Sequence, residues 1–408
     1  MIVAKFGGTS VADSSCISRV INIIQNNPEQ QVVVISALGG ITNMIQDSAQ
    51  CAANGDLKYQ EILSKIEERH FSCIKKLIPI KAQSQVLSHI KQQINALSTL
   101  HEGVYLLREL SPRTKDHMLG FGELLSYYII AKTAIAQNLD VGFENARHLI
   151  FTKNDIEKNT VDHQKTFKSI QSYFKKPKHR VTIVPGFVAS DEEGAPTTLG
   201  RGGSDLTAAL IASALDATQL EIWTDVSGMF TAHPKYVKQA RAIKQLSYHE
   251  AMELSHFGAK VIYPPTLQPV TKKNIPVIVK NTFQPEDEGT LITNKKTSSG
   301  QAVRGISYIE NIALLTLEGS GMIGIPGFSK RLFESLSREK INVIMITQAS
   351  SEHSICIGLR SEDAQNAKAI IDEEFAFEIS LNKVNPAVVE DEMVNVAMVG
   401  DQMKSHQG

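Results

Sequence analysis

Apolar residues open the chain as a short block, Ile2–Phe6, that stops at Gly7-Gly8. Thr9-Ser10 can cap a following helix in which Ile17, Val20, Ile21 and Ile24 fall at i, i+3, i+4 and i+7. Gln31–Ser36 is a continuous β-branched run, the pattern of a strand buried on both faces, and it too gives way to paired glycines, Gly39-Gly40. From about 57 to 110, polar and apolar residues mix at helical spacing with almost no glycine, which predicts two or three helices. Strand patterns return at Val181–Val184, Leu220–Trp223 and Val277–Lys280, with helical patterns at 204–215 and 247–258 between them. Strands separated by helices require crossover connections and a mostly parallel sheet. Residues 1–293 are therefore expected to form an α/β sandwich.

The segment 294–305 is polar, contains glycine and reads as a linker. Beyond it the pattern predicts strand Ile312–Leu317, helix Phe328–Glu339, strands Ile341–Thr347 and Ser354–Leu359, and helix Glu362–Glu374. This β-α-β-β-α order describes a ferredoxin-like domain over 306–390. An internal repeat starts within it. Gly319-Ser320-Gly321-Met322 with Gly327 gives G-x-x-M-x₄-G, and the pattern returns at Gly400-Asp401-Gln402-Met403 with Gly408, each time after a strand. The second copy stops where its helix should open, so 391–408 is expected to be the start of a truncated repeat, with the natural protein continuing.

Composition narrows the function. The 42 Lys and Arg balance 43 Asp and Glu, which argues against nucleic acid or an anionic membrane as partner. No apolar run is long enough to span a bilayer, and the first residues lack a signal-peptide pattern. Cys16, Cys51, Cys73 and Cys356 are scattered, with no CxxC pair, as expected of reduced residues in a soluble cytoplasmic protein. His249 and His256 lack a third ligand at matching spacing, so no protein-held metal is expected.

Four clusters rich in glycine, hydroxyls and charge follow strands, at the sheet edge where open parallel sheets bind ligands. In Lys5-Phe6-Gly7-Gly8-Thr9-Ser10 the glycines expose N–H groups to an anion and Lys5 adds a full charge. Ser36–Asn43 repeats the strand, glycine turn and hydroxyl. In Thr198–Asp205 glycines flank Arg201, whose guanidinium can fork onto a carboxylate or phosphate, while Asp205 either caps a helix or holds other site groups. Trp223-Thr224-Asp225-Val226 ends a strand in a turn suited to a nucleotide, and Lys260 follows a glycine near a helix end. Together these groups favour a phosphorylated nucleotide and a small acid as ligands.

Lys5–Val11, Gly200–Asp205, Trp223–Val226 and Phe257–Val261 resemble the signature segments of aspartokinases, which have the amino-acid kinase fold. The later region resembles that family's ACT regulatory domains, and Thr347-Gln348 with Ser350-Ser351-Glu352 is most similar to the kinase half of bifunctional aspartokinase–homoserine dehydrogenases. The resemblance implies transfer of the ATP γ-phosphoryl group, with Mg²⁺, to the side-chain carboxylate of L-aspartate. It implies Lys5, Arg201 and Asp205 as catalytic residues, and Thr42, Glu123 and Arg201 as the aspartate seat. Lys5, Gly7, Gly8, Ser10, Thr224, Asp225, Phe230, Lys235 and Lys260 would hold ATP. It further implies a homo-oligomer, at least a dimer, with an amino-acid effector, threonine in preference to lysine, near Met322, Asn342 and Gln348. Phe230, His233, Lys235 and Tyr263 depart from the family's usual tyrosine, aspartate, arginine and histidine, while the central charges are intact.

Two other readings stand beside this one. Gly319, Gly321 and Gly324 match the G-x-G-x-x-G of an NAD(P)-binding dehydrogenase, although the next strand ends in Gln348 and offers no acid for the ribose. A non-catalytic amino-acid sensor would keep the second domain but lose Lys5, Arg201 or Asp205.

Overall fold

In chain order, the computed structural model opens with β1 (Ile2–Phe6), α1 (Ser14–Asn26), β2 (Gln31–Ile35), α2 (Ile41–Ala53), α3 (Lys58–Leu77) and α4 (Ile80–Leu107). It continues through α5 (Pro112–Leu119), α6 (Phe121–Ala136), β3 (Val141–Phe143), β4 (Thr152–Asn154), β5 (Asn159–Val161) and α7 (His163–Phe174). Then come β6 (Val181–Pro185), β7 (Val188–Ser190), β8 (Pro196–Thr198), α8 (Gly203–Ala214) and β9 (Gln219–Thr224). β10 (Gln245–Ser247), α9 (Tyr248–His256), α10 (Gln268–Thr271), β11 (Val277–Asn281) and β12 (Thr290–Thr293) complete this part. The structure describes residues 1–154, 159–176, 178–256, 261–294, 303–348 and 353–400. Two compact units emerge, Met1–Gly305 with the segment from Val399 on, and Ile306–Met398.

Eight strands of the first unit form one sheet in the order β10-β12-β11-β9-β1-β2-β6-β3. All neighbours are parallel except β11 and β12. The β-branched run of β2 is buried along its whole length, as a strand covered on both faces should be. Helix α8 packs over β1, β2 and β9, and α6 over β2, β3 and β6, while α2, α3 and α4 pack on one another. α6 and α8 are buried nearly all round, which is why they show no polar stripe. The cap expected at Thr9-Ser10 falls instead on Asp13, whose carboxylate accepts from the Cys16 N–H at 3.0 Å. Thr9–Val11 form a short 3₁₀ turn, because the Ser10 hydroxyl is drawn inward to Thr282 Oγ1 at 2.7 Å and the Trp223 carbonyl at 3.3 Å.

The second unit runs β13 (Gly305–Glu318), α11 (Phe328–Arg338), β14 (Met345–Gln348), β15 (Ser354–Arg360), α12 (Ala364–Glu374), α13 (Ala376–Ser380) and β16 (Val388–Val399). Its sheet order is β14-β15-β13-β16, with β15 antiparallel to both β14 and β13. This is the ferredoxin-like arrangement, and β16, whose later part the sequence reading assigned to a second repeat, is its last strand. The boundary placed at 390/391 therefore falls inside one continuous strand. Of the second repeat copy, 401–408 lie outside the described residues, as do 295–302 of the linker and 349–352. No helix among the described residues is long and apolar enough to cross a membrane.

Candidate active site

The C-terminal ends of β1 and β2 open onto a cavity of about 430 Å³ that gathers Lys5, Thr42, Glu123, Arg201 and Asp205. Lys5 comes from β1, Thr42 from the first turn of α2, Glu123 from the first turn of α6 and Asp205 from the first turn of α8. Lys5 Nζ lies 2.6 Å from Asp205 Oδ1, with only 13% and 12% of the two side chains exposed. The contact is close enough for an ion pair, although that oxygen has no partner aligned as a hydrogen bond. Asp205 reaches this position because Gly202, at φ +70°, turns the loop directly into α8. A Cβ there would come within 2.8 Å of Tyr263 as well as forcing a left-handed side-chain residue. Arg201 is exposed at the cavity rim, its guanidinium 5.6 Å from the Tyr263 ring centroid.

Glu123 is 4% exposed, and its Oε2 is buried with no partner. Burial pushes its carboxyl up to about 8, against the opposing pull of backbone hydrogen bonds from Ala37 and Glu123 itself and of the Lys5 charge. Burial therefore favours the protonated form of this carboxyl at neutral pH.

The two glycine turns flank the cavity. The Gly7 N–H donates to the Trp223 carbonyl at 3.1 Å, tying the first turn to β9. A Cβ on Gly8 would stand 3.1 Å from the Ala37 carbonyl oxygen, and one on Gly39 would stand 3.0 Å from Ala12 Cβ and 3.2 Å from the Gly8 carbonyl oxygen. The turns thus meet backbone to backbone. Ser10, expected to face ATP, is fully buried with its hydroxyl taken up by Thr282 and Trp223.

The remaining residues expected to hold nucleotide do not line this cavity. Thr224 ends β9 with its hydroxyl 3.1 Å from Asp225 Oδ1, Phe230 bridges to Ala242, and Lys235 is exposed with its ammonium 5.3 Å from the Tyr236 ring. Lys260 lies outside the described residues. Among the described residues, no cluster of His, Cys, Asp or Glu is arranged to hold a metal ion.

Five lining residues went unread in the sequence: Gln46, Lys115, Asp116, Leu119 and Phe187. Asp116 sits in α5 with its carboxyl raised by burial, opposed by hydrogen bonds to Thr198 that fasten α5 to the strand leading into the Arg201 loop. The Ser111-Pro112 helix start signalled α5, yet nothing local signalled where Asp116 would point. Phe187 holds φ +67°, a costly conformation for an aromatic residue, with its N–H bonded to Thr207 Oγ1 at 3.0 Å.

In the second unit, Met322 and Gln348 line a cavity of about 310 Å³ together with Gly327, Phe328 and Ser329, whereas Asn342 is exposed and outside it. The dehydrogenase fingerprint has a structural explanation. Cβ atoms on Gly319 and Gly321 would strike the Lys383 carbonyl oxygen at 2.3 and 2.9 Å, and the preceding strand lies beside an antiparallel neighbour. These glycines admit a close backbone approach, and the sheet is not the parallel one a dinucleotide fold requires.

Residues 1–281 match the model of the Amino acid kinase family, and 315–375 match an ACT domain. The bifunctional aspartokinase/homoserine dehydrogenase 1 of Arabidopsis thaliana chloroplasts is 32% identical, over all of this chain and 45% of its own length. The chain spans about half the length of such bifunctional relatives. The lysine-sensitive aspartokinase 3 of Escherichia coli is 31% identical, over all of this chain and 89% of its own. The crystal structure of E. coli aspartokinase III in complex with aspartate and ADP (R-state) superposes with a TM-score of 0.83 at 30% identity, covering 100% of this chain and 89% of the other.

Proposed function

This chain belongs to the amino acid kinase family, in its aspartokinase branch, and on that premise we propose that it transfers the γ-phosphoryl group of ATP to the side-chain carboxylate of L-aspartate. The products are 4-phospho-L-aspartate and ADP, at the head of lysine, threonine and methionine synthesis. An aspartate side chain, with an ordinary pKa near 3.9, is already ionised at pH 7, so the nucleophile needs no general base. One carboxylate oxygen forms a bond to Pγ as the bond from Pγ to the bridging β-phosphate oxygen breaks. The protein's task is to hold two anions together and neutralise charge as it spreads over the transferring group.

Lys5 makes the transition-state contact, and Asp205, 2.6 Å away, orients its ammonium. Glu123 ionises to receive the substrate ammonium, Arg201 pairs with a carboxylate, and Thr42 completes the aspartate seat. The N–H groups of the Gly7-Gly8 turn, with Thr224, Asp225, Phe230, Lys235 and Lys260, hold the nucleotide. Three carboxylates line the cavity, yet burial favours the protonated form of Glu123 and Asp205 is paired with Lys5, so these residues offer no ready cage for a cation. That donor set suits an Mg²⁺ that arrives with ATP, ligated by phosphate oxygens and water, and neutralises phosphate charge.

The observation that carries this reading is the buried Glu123 with its unpartnered oxygen in the same cavity as the Lys5–Asp205 pair. A cation-seeking acid beside an anion-seeking lysine suits an amino-acid substrate meeting a phosphate. The test is acyl-phosphate formation from MgATP and L-aspartate, trapped as the hydroxamate, for the wild type and Lys5→Ala. Aspartate-dependent product that falls at least 100-fold in the variant is expected. A folded, ATP-binding wild type that makes none would favour the amino-acid sensor.

The second unit would carry feedback, with threonine favoured over lysine because Gln348, whose amide can both donate and accept, lines its cavity. The chain is proposed to pair with a second copy through these units. Ile346 on β14 and Val394, Val396 and Met398 on β16 are the exposed apolar side chains such pairing would cover. Threonine added to the hydroxamate assay should lower product formation, and unchanged activity removes the threonine assignment.

A further inference from the structure

The two glycine turns are held together by one guanidinium that no part of the proposed chemistry uses. Arg69, half-buried on α3, donates from Nη2 to the Gly39 carbonyl at 2.8 Å and to the Ala12 carbonyl at 3.1 Å. Its Nη1 lies 3.8 Å from Met44 Sδ, in the first turn of α2. Ala12 follows the turn that begins at Gly7, and Gly39 opens the second turn. The turns are already in backbone contact, and a Cβ at Gly8 or Gly39 would sit tightly, 3.1 Å from the Ala37 carbonyl oxygen or 3.0 Å from Ala12 Cβ. Arg69 therefore closes a three-way joint between α3 and the two loops that leave β1 and β2.

The consequence for the site follows from peptide geometry. A trans peptide sets its C=O and N–H in opposite directions, so pinning the Gly39 carbonyl towards α3 aims the Gly40 N–H away from it. Ser36 and Thr42, on either side of this turn, line the cavity, and Lys5 leads into the other turn. Any slip between the turns changes the spacing between the Lys5 side and the Thr42 side, which reacting groups tolerate poorly. Both acceptors are neutral carbonyls on two different loops. Nη2 supplies both bonds while Nη1 turns towards Met44 Sδ, so the planar guanidinium is held in one orientation that a freely rotating lysine ammonium does not keep.

We propose that Arg69 is a positioning residue for phosphoryl transfer, fixing the two glycine turns relative to each other from outside the cavity. The activity arm of this inference rests on the aspartokinase reading, and the binding arm does not. Trp223 is the single tryptophan, and its indole stacks on Phe6, the residue that leads into the first turn, with centroids 5.7 Å apart, so its fluorescence probes the root of that turn.

Full-length wild type, Arg69→Ala, Arg69→Lys and Arg69→Gln are titrated with ADP by Trp223 fluorescence, assayed as hydroxamate, and melted. In Arg69→Ala, ADP affinity should fall about tenfold and kcat about 10- to 100-fold, as expected for a displaced site. Millimolar methylguanidinium should restore part of that kcat while methylammonium does not, and Arg69→Lys should stay impaired. Wild-type ADP affinity and kcat in Arg69→Ala would overturn the proposal. So would losses that merely follow the melting temperature across the three variants without rescue. If Arg69→Ala does not fold, Arg69→Gln and Arg69→Lys carry the same comparison. A wild type that makes no aspartyl hydroxamate would remove the aspartokinase reading, and the ADP titration would still decide the role of Arg69.

Discussion

On the proposed function, Glu123 would make binding of the substrate ammonium a proton-coupled event. Burial penalises the charge and pushes its carboxyl up to about 8, above the ordinary 4.5. Between those values the folded chain holds a proton that the unfolded chain releases. Its contribution to stability is therefore fully present below pH 4.5 and is lost as pH rises through 8. Binding an ammonium reverses the preference, since only the carboxylate pairs with it. The KM for aspartate should accordingly fall as pH rises from 6 to 8, by up to about tenfold per pH unit, and level off above. Initial rates across that range in wild type and Glu123→Gln check this, the variant showing a raised and flat KM. A flat wild-type profile would mean that Glu123 does not meet the ammonium. The charged residues at strand ends were legible in the sequence, because Lys5, Arg201 and Asp205 stand beside glycines whose turns announce themselves. Glu123 was reached only through family resemblance, since α6 is apolar nearly all round and one acid within it signals nothing locally. Phe187 and Asp116 became visible only once distant segments met.

At the scale of elements, the helices between β2 and β3 carry a titration of opposite sign. His70 on α3 is fully buried, with Nδ1 2.7 Å from the Ile66 carbonyl oxygen and Nε2 without a partner. Burial pushes its pKa down to about 4 from 6.5, so the folded chain keeps it neutral while the unfolded chain protonates. Stability from this residue is present above pH 6.5 and is lost as pH falls towards 4, by about 3 kcal/mol in all. Melting curves from pH 7 to 4.5 should therefore show a steeper decline in the wild type than in His70→Leu. Equal slopes would place the acid sensitivity elsewhere, with His101 on α4, whose pKa is also lowered by burial, the next residue to change. The α3–α4 pair itself was legible, because its helical spacing is long and uninterrupted. β3, β10 and β12 were not, since strands of three or four residues carry too few alternations to stand out from loops. The later part of β16 was legible as a strand but was assigned to the opening of a repeat, because Gly400 and Met403 echo Gly319 and Met322, and only its place beside β13 shows that it completes the sheet.

Among the described residues of the whole molecule, two hydrophobic cores form that share no residue. Damage to the second should therefore be separable from the chemistry of the first. Ile357 on β15 is fully buried in the second core, so Ile357→Ala should cost that unit about 2–5 kcal/mol. Calorimetry should show one transition lowered, with the threonine response lost and basal kcat and KM retained. Basal activity that falls along with the threonine response would show that the units fold as one. The strand order of the first unit has a consequence for how the chain is made. β1 lies between β2 and β9, with Ile2 opposite Gln219, so one of its edges has no partner until most of the unit exists. At a synthesis rate of roughly 5–20 residues per second, on the order of 10–40 s separate the two strands on the ribosome. For that interval the growing chain exposes one edge of an apolar strand, a template for pairing with other chains. The fold that places Lys5 at the centre of its sheet thus leaves its first strand half-paired until β9 has been made.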